Sequence, residues 1–90
     1  MAYNVAATIK VMPEGPETDL EELKANLKAS MPTGSEINNI IEEPIGFGIK
    51  AIMVTALLND DEGGTEPIEE AFSNISGVES VMVIDVGRLG

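Results

Sequence analysis

The sequence predicts an α+β two-layer sandwich in the order strand, helix, strand, strand, helix, strand, with a four-stranded antiparallel sheet carrying both helices on one face. Three observations lead there. Four segments alternate with period two or are rich in β-branched residues, two others carry apolar stripes at helical spacing, and Gly, Pro and acidic clusters stand between them. A chain of 90 residues, 43% apolar and 23% charged, has the composition of one globular core, so a single domain over residues 1–90 is expected.

The first strand is read from Val5, Ala7, Ile9 and Val11 alternating with Ala6, Thr8, Lys10 and Met12. MPEGPETD then stops it, and Thr18 or Asp19, each three residues before a glutamate, opens a capping box for the first helix. Leu20, Leu23, Leu27 and Met31 form its buried stripe, ended by Pro32 and Gly34. SEINNIIEE reads as a second strand, residues 44–48 as a turn, and IKAIMVTALL as a central strand that should be the least exposed element. NDDEGGTE is a loop in which Thr65 can cap a second helix with Pro67 in its first turn and Ile68, Ala71, Phe72 and Ile75 inward. Ser76 and Gly77 end it, residues 78–86 form the last strand, and GRLG is a short tail.

This order fits the split βαβ, or ferredoxin-like, arrangement, the economical way to bury two helical stripes and one sheet face. In that topology the turn around Phe47 lies at one end of the sheet, and the loop before the second helix and the chain end around Arg88 lie at the other, a strand length of roughly 20 to 30 Å away.

Composition narrows the function. With no cysteine there is no disulfide, no thiolate nucleophile and no cysteine-ligated zinc or iron–sulfur centre, and with no histidine the commonest metal ligand and general base are missing. Most enzyme chemistry is thereby excluded, and neither a catalytic centre nor a cofactor is expected. The longest apolar run, AIMVTALL, is too short to span a membrane, and MAYNVAATIK does not open like a signal peptide, so a cytoplasmic protein is expected. A net charge of −11 argues against binding nucleic acid, because phosphate backbones need clustered cations. It fits either plain solubility or a basic protein partner.

Candidate sites are few. A sheet that binds RNA needs stacking aromatics and basic residues, whereas the aromatics are Tyr3, Phe47 and Phe72 alone. Asp60, Asp61 and Glu62 could offer oxygens to a hard cation or anchor a metabolite, which would make the chain a small regulatory domain; the plainer reading is a solvated loop. Adjacent Glu42 and Glu43 point to opposite faces of a strand and keep an edge soluble rather than forming an acid/base pair. In EEPIGFGIK, Gly46 and Gly48 permit a tight turn around Phe47, which either anchors a partner or folds back over the core.

The segments ATIKVMPEGPETDLEEL, EEPIGFGIKAI, DDEGGTE and VESVMVIDVGRL, in this order over essentially the entire chain, resemble the beta subunit family of translation elongation factor one in its compact archaeal form. PIGFGIK is the most specific piece. The resemblance implies the same two-helix, four-strand sandwich and a guanine-nucleotide exchange factor whose partner is the GTPase elongation factor 1-alpha. In eukaryotic members the phenylalanine of the GFG turn meets the second domain of that GTPase, and a lysine just before the terminal hydrophobic residue enters the magnesium site of its first domain. By resemblance those roles fall on Phe47, flanked by Gly46 and Gly48, and on Arg88 with Leu89 beside it, while Lys50 of GIK serves as a rim contact or strand-edge charge. Arginine in place of lysine is a departure, since a planar guanidinium bonds as a fork and an ammonium as a compact point charge.

Overall fold

A computed structural model describes residues 3–62 and 64–89, without the side chain of Glu62. Along the chain run β1 (Val5–Pro13), α1 (Leu20–Ala29), β2 (Glu36–Gly46), β3 (Ile49–Leu58), one 3-10 turn (Asp60–Glu62), α2 (Glu66–Ser73) and β4 (Val78–Arg88). The strands form one sheet in the order β2-β3-β1-β4, every pair antiparallel. This is the ferredoxin-like α+β sandwich.

The period-two pattern of β1 decides which face is covered. Val5, Ala7, Ile9 and Val11 are buried and lie opposite Leu58, Ala56, Val54 and Ile52 of β3, giving a continuous apolar layer. Onto it pack Leu23 and Leu27 of α1 and Ile68 and Phe72 of α2, all buried. Fully burying an aliphatic or aromatic side chain of this kind contributes about 1.5–3 kcal/mol, so this layer is the chief source of stability. Phe72 is thus a core residue, as its spacing predicts. The expected least-exposed strand, β3, shares the centre of the sheet with β1, and it is β1 that has no exposed residue, since Lys50 of β3 is open to solvent.

The structure settles one open choice at an element end, and element ends depart from expectation in three places, each for a local reason. Of the two residues able to open α1, Asp19 does so, accepting from the Glu22 N–H at 3.2 Å, while the Thr18 hydroxyl accepts from the Gly15 N–H and closes the preceding turn. The helix stops at Ala29 and Met31 packs on the core from the connection beyond it, because Ser30 turns its own hydroxyl and N–H back onto the last carbonyls. Thr65 stands before α2 but makes no side-chain cap; its hydroxyl donates to Glu69 Oε2 at 2.7 Å. The third departure concerns β2 and β4, which both run longer than the sequence pattern suggests. Pro44 continues β2 because β2 is an edge strand, where a missing N–H costs no ladder bond, and Gly87 and Arg88 belong to β4 because they pair with Ala6 and Val5. Among the described residues no helix is long and apolar enough to cross a membrane.

Candidate functional site

Extension of β2 to Gly46 leaves two residues, Phe47 and Gly48, to connect it to β3, with Gly46 paired to Ile49. A two-residue hairpin matches the twist of its strands when both central residues have positive φ, and Phe47 and Gly48 lie at 58° and 76°. Gly46 before them is at 111°, next to a register irregularity between Pro44 and Gly46. The glycines therefore do not carry all of the unusual backbone. Phe47 itself occupies the left-handed region, where a bulky side chain costs energy and where strain of this kind collects at functional positions. The residue is 98% exposed, which overturns the reading in which it folds back over the core. Ile45, in the irregular stretch beside it, is also exposed, so this end of the sheet presents two apolar side chains.

Lys50 stands opposite Pro44 near this turn, half-exposed, with its Nζ 3.8 Å from Glu42 Oε1. Glu42 also accepts Lys24 Nζ at 2.8 Å, and that bond is the main cause that lowers its carboxyl below the usual range and raises the Lys24 ammonium. Glu42 and Glu43 do face opposite sides of the edge strand, since they pair with Ile52 and Ala51 in turn. Glu42 does more than keep that edge soluble, because it ties α1 to the strand.

At the other end, β1 gathers three segments. Val5 pairs with Leu58, where β3 leaves the sheet, and with Arg88, where β4 leaves it. Arg88 is 73% exposed in its side chain and donates from Nη2 to Asp60 Oδ2 at 2.7 Å. Asp60 Oδ1 accepts from Asn4 Nδ2 at 3.0 Å, and the Asp60 N–H donates to Asn4 Oδ1 at 3.1 Å. The Asn4 bond and the neighbouring guanidinium hold the Asp60 carboxyl below the usual carboxylate range. Leu89, half-exposed, is pinned by its N–H to the Asn4 carbonyl at 3.0 Å. Arg88 is thus neither in a tail nor simply solvated.

The acidic loop is changed by this pairing. Both oxygens of Asp60 are already bonded, Asp61 is exposed, and the Glu62 side chain and Gly63 lie outside the described residues. No group of three or more acidic side chains arranged to hold a metal ion occurs among the described residues. Asn4 and Asp60 were not legible as members of the Arg88 site from their own neighbours in sequence. The signal that could have found them is topological: a strand paired on both sides must bring its own start, the exit of β3 and the end of β4 together.

Phe47 and Arg88 are separated by the length of β3, ten residues, or about 30 Å at ~3.3 Å per residue, in a molecule 38 Å long. Residues 6–89 match the family model described as the EF-1 guanine nucleotide exchange domain. The chain is 56% identical to elongation factor 1-beta of Methanosarcina barkeri over 96% of its own length and 98% of that protein. It is 51% identical to elongation factor 1-beta of Methanothermobacter thermautotrophicus, over 96% of this chain and 97% of the relative. With the protein of the same name from Halobacterium salinarum it shares 49% identity over 94% and 97% of the two chains. Fold, domain match and near full-length similarity agree, and the chain belongs to the elongation factor 1-beta family.

Proposed function

We propose that this protein promotes GDP release and GTP rebinding on elongation factor 1-alpha, docking through Phe47 and acting through Arg88, with no catalytic centre of its own. The observation that carries the reading is the pairing of a fully presented apolar side chain at one end of the sheet with an exposed cation at the other. A partner touching both must span about 30 Å, as two domains of a GTPase can. Phe47, with Ile45 beside it, fits an apolar pocket, and filling one would contribute roughly 1.5–3 kcal/mol. Gly46 and Gly48 hold the turn that presents it, Lys50 lies on the rim, and Leu89 flanks the cation.

The chemistry needs no covalent step. GDP is held largely through magnesium and its phosphates, so a guanidinium placed among those anionic groups competes with the metal and weakens the nucleotide's hold. One cation at one point is enough, which suits a chain of net charge −11. The same reading makes residues 1–90 one exchange domain working in the cytoplasm, in contact with a protein and not with nucleic acid or membrane. The competing reading, a regulatory domain taking a metabolite or metal ion through Asp60, Asp61 and Glu62, is weakened by the engagement of both Asp60 oxygens.

The test is release of fluorescent GDP from elongation factor 1-alpha, chased with excess GTP, over a concentration series of this protein. Release should accelerate and saturate. An unchanged rate with a folded factor and a competent GTPase would overturn the proposal, and a rise in melting temperature with a metabolite or divalent cation would favour the competing one.

A further inference from the structure

The Asp60 carboxylate sits between two side chains that the fold brings from opposite ends of the sequence. It is a fixed acceptor. Asn4 donates from Nδ2 to the carboxylate Oδ1 and accepts the Asp60 backbone N–H at its own Oδ1, and Asn4 is itself held by backbone bonds to the Leu58 carbonyl and the Leu89 N–H. Against this acceptor Arg88 uses one nitrogen, Nη2. A guanidinium carries five N–H donors in a planar fork, so the single bond from Nη2 to Asp60 leaves four of the five donors, including those of Nη1, for a second acceptor. With 73% of the Arg88 side chain in solvent, those donors are open to an approaching surface.

We propose that Asp60, braced by Asn4, is a positioning residue that keeps Arg88 extended at the end of the sheet while its unused donors meet phosphate or carboxylate oxygens of the partner. The inference rests on Arg88 being the working cation. It follows from the shape of the group. A guanidinium can be oriented by one carboxylate and still bind a second anion in its own plane, whereas an unanchored arginine after Gly87 would sample many rotamers and present the fork in one of them only part of the time. The arrangement also gives arginine a purpose at a position where a compact ammonium has no second edge to offer.

The experiment compares wild type, Asp60→Asn, Arg88→Ala and the double variant in the GDP-release assay across factor concentration, with melting temperatures alongside. Asp60→Asn keeps an acceptor and a donor for Asn4 but removes the charge that orients Arg88. It should lower the plateau rate about two- to fivefold, the size expected of an exposed charge pair, and leave the half-saturating concentration unchanged. In the Arg88→Ala background the same change should have no further effect, because a residue acting through another is non-additive with it. Asn4→Ala, which retains both charges, should shift the plateau in the same direction by less, and it carries the test if Asp60→Asn melts early. A full or raised plateau for Asp60→Asn, or an equal loss in both backgrounds, would overturn the inference while a loss in Arg88→Ala alone left the exchange reading standing. A full plateau for Arg88→Ala would remove both.

Discussion

The two ends of this sheet present their side chains by different means. Phe47 is held by its backbone: three consecutive residues at positive φ, on a two-residue hairpin, leave the residue 98% exposed. Arg88 is held by side chains: Asn4 orients Asp60, and Asp60 orients the guanidinium. The difference follows from chemistry. An apolar ring can form no hydrogen bond to fix its direction, so only the covalent chain can aim it, whereas a cation can be aimed by a neighbouring carboxylate. The cost differs too. The Phe47 turn stores backbone strain, while an exposed ion pair costs little to form or to break.

The largest effect should come from Arg88→Ala, which removes the proposed working charge. Its plateau GDP-release rate should drop on the order of a hundredfold, the usual scale for deleting one oriented electrostatic group from a reacting site, with the half-saturating concentration little changed. Phe47→Ala should do the opposite, raising that concentration roughly tenfold to a hundredfold at an unchanged plateau, as expected for loss of a buried aromatic contact. If the two variants show the same pattern, the ends do not divide docking from action. Titration over factor concentration distinguishes these outcomes directly.

A smaller effect concerns stability. Phe47→Gly puts a permissive residue at φ 58°, so it should weaken docking as Phe47→Ala does yet stabilise the free protein by about 0.5–1 kcal/mol, the relief of strain less the added chain entropy of glycine. Thermal unfolding would show it, and a melting temperature at or below that of wild type would mean the turn is not strained. Arg88→Ala should leave the melting temperature nearly unchanged, because its ion pair is exposed.

The smallest effect is in titration. The Asp60 carboxyl should lose its proton at a pH below the usual carboxylate range, and Asn4→Ala and Arg88→Ala should each move it back up, since the Asn4 bond is the largest single cause and the guanidinium adds its charge and a bond. Carbon-detected NMR of the carboxylate reads this. The folded protein binds that proton more weakly than the unfolded chain, so Asp60 stabilises the fold above its unfolded midpoint and the contribution disappears as pH falls through the lower, folded one. From pH 5 to 8 Asp60 stays ionised and its grip on Arg88 should not vary. Glu42, lowered by Lys24, obeys the same sign.

Most of the architecture was legible because it is written in short-range pattern. The alternation from Val5 to Val11, the stripe of Leu23 and Leu27, and the pair Ile68 and Phe72 each report a buried face within a few residues of chain. Boundaries were less legible where a neighbour decides them. Pro44 reads as a turn residue until β2 is known to be an edge strand, and Gly87 and Arg88 read as a tail until β1 is seen to pair with them. The site divides in the same way. GFG marks itself, but the partners of Arg88 lie 28 residues away at Asp60 and, through it, a further 56 at Asn4.

By itself the sequence determined which segments are strands and helices, which faces are buried, and that Phe47 stands in a glycine turn, since periodicity and backbone freedom are local properties of the chain. Tertiary structure alone decided that the left-handed conformation falls on Phe47 and that Arg88 is held by Asp60. The first depends on the register of Gly46 against Ile49, which leaves two residues for the turn. The second depends on β1 lying between β3 and β4, so that chain segments far apart in sequence end at one place.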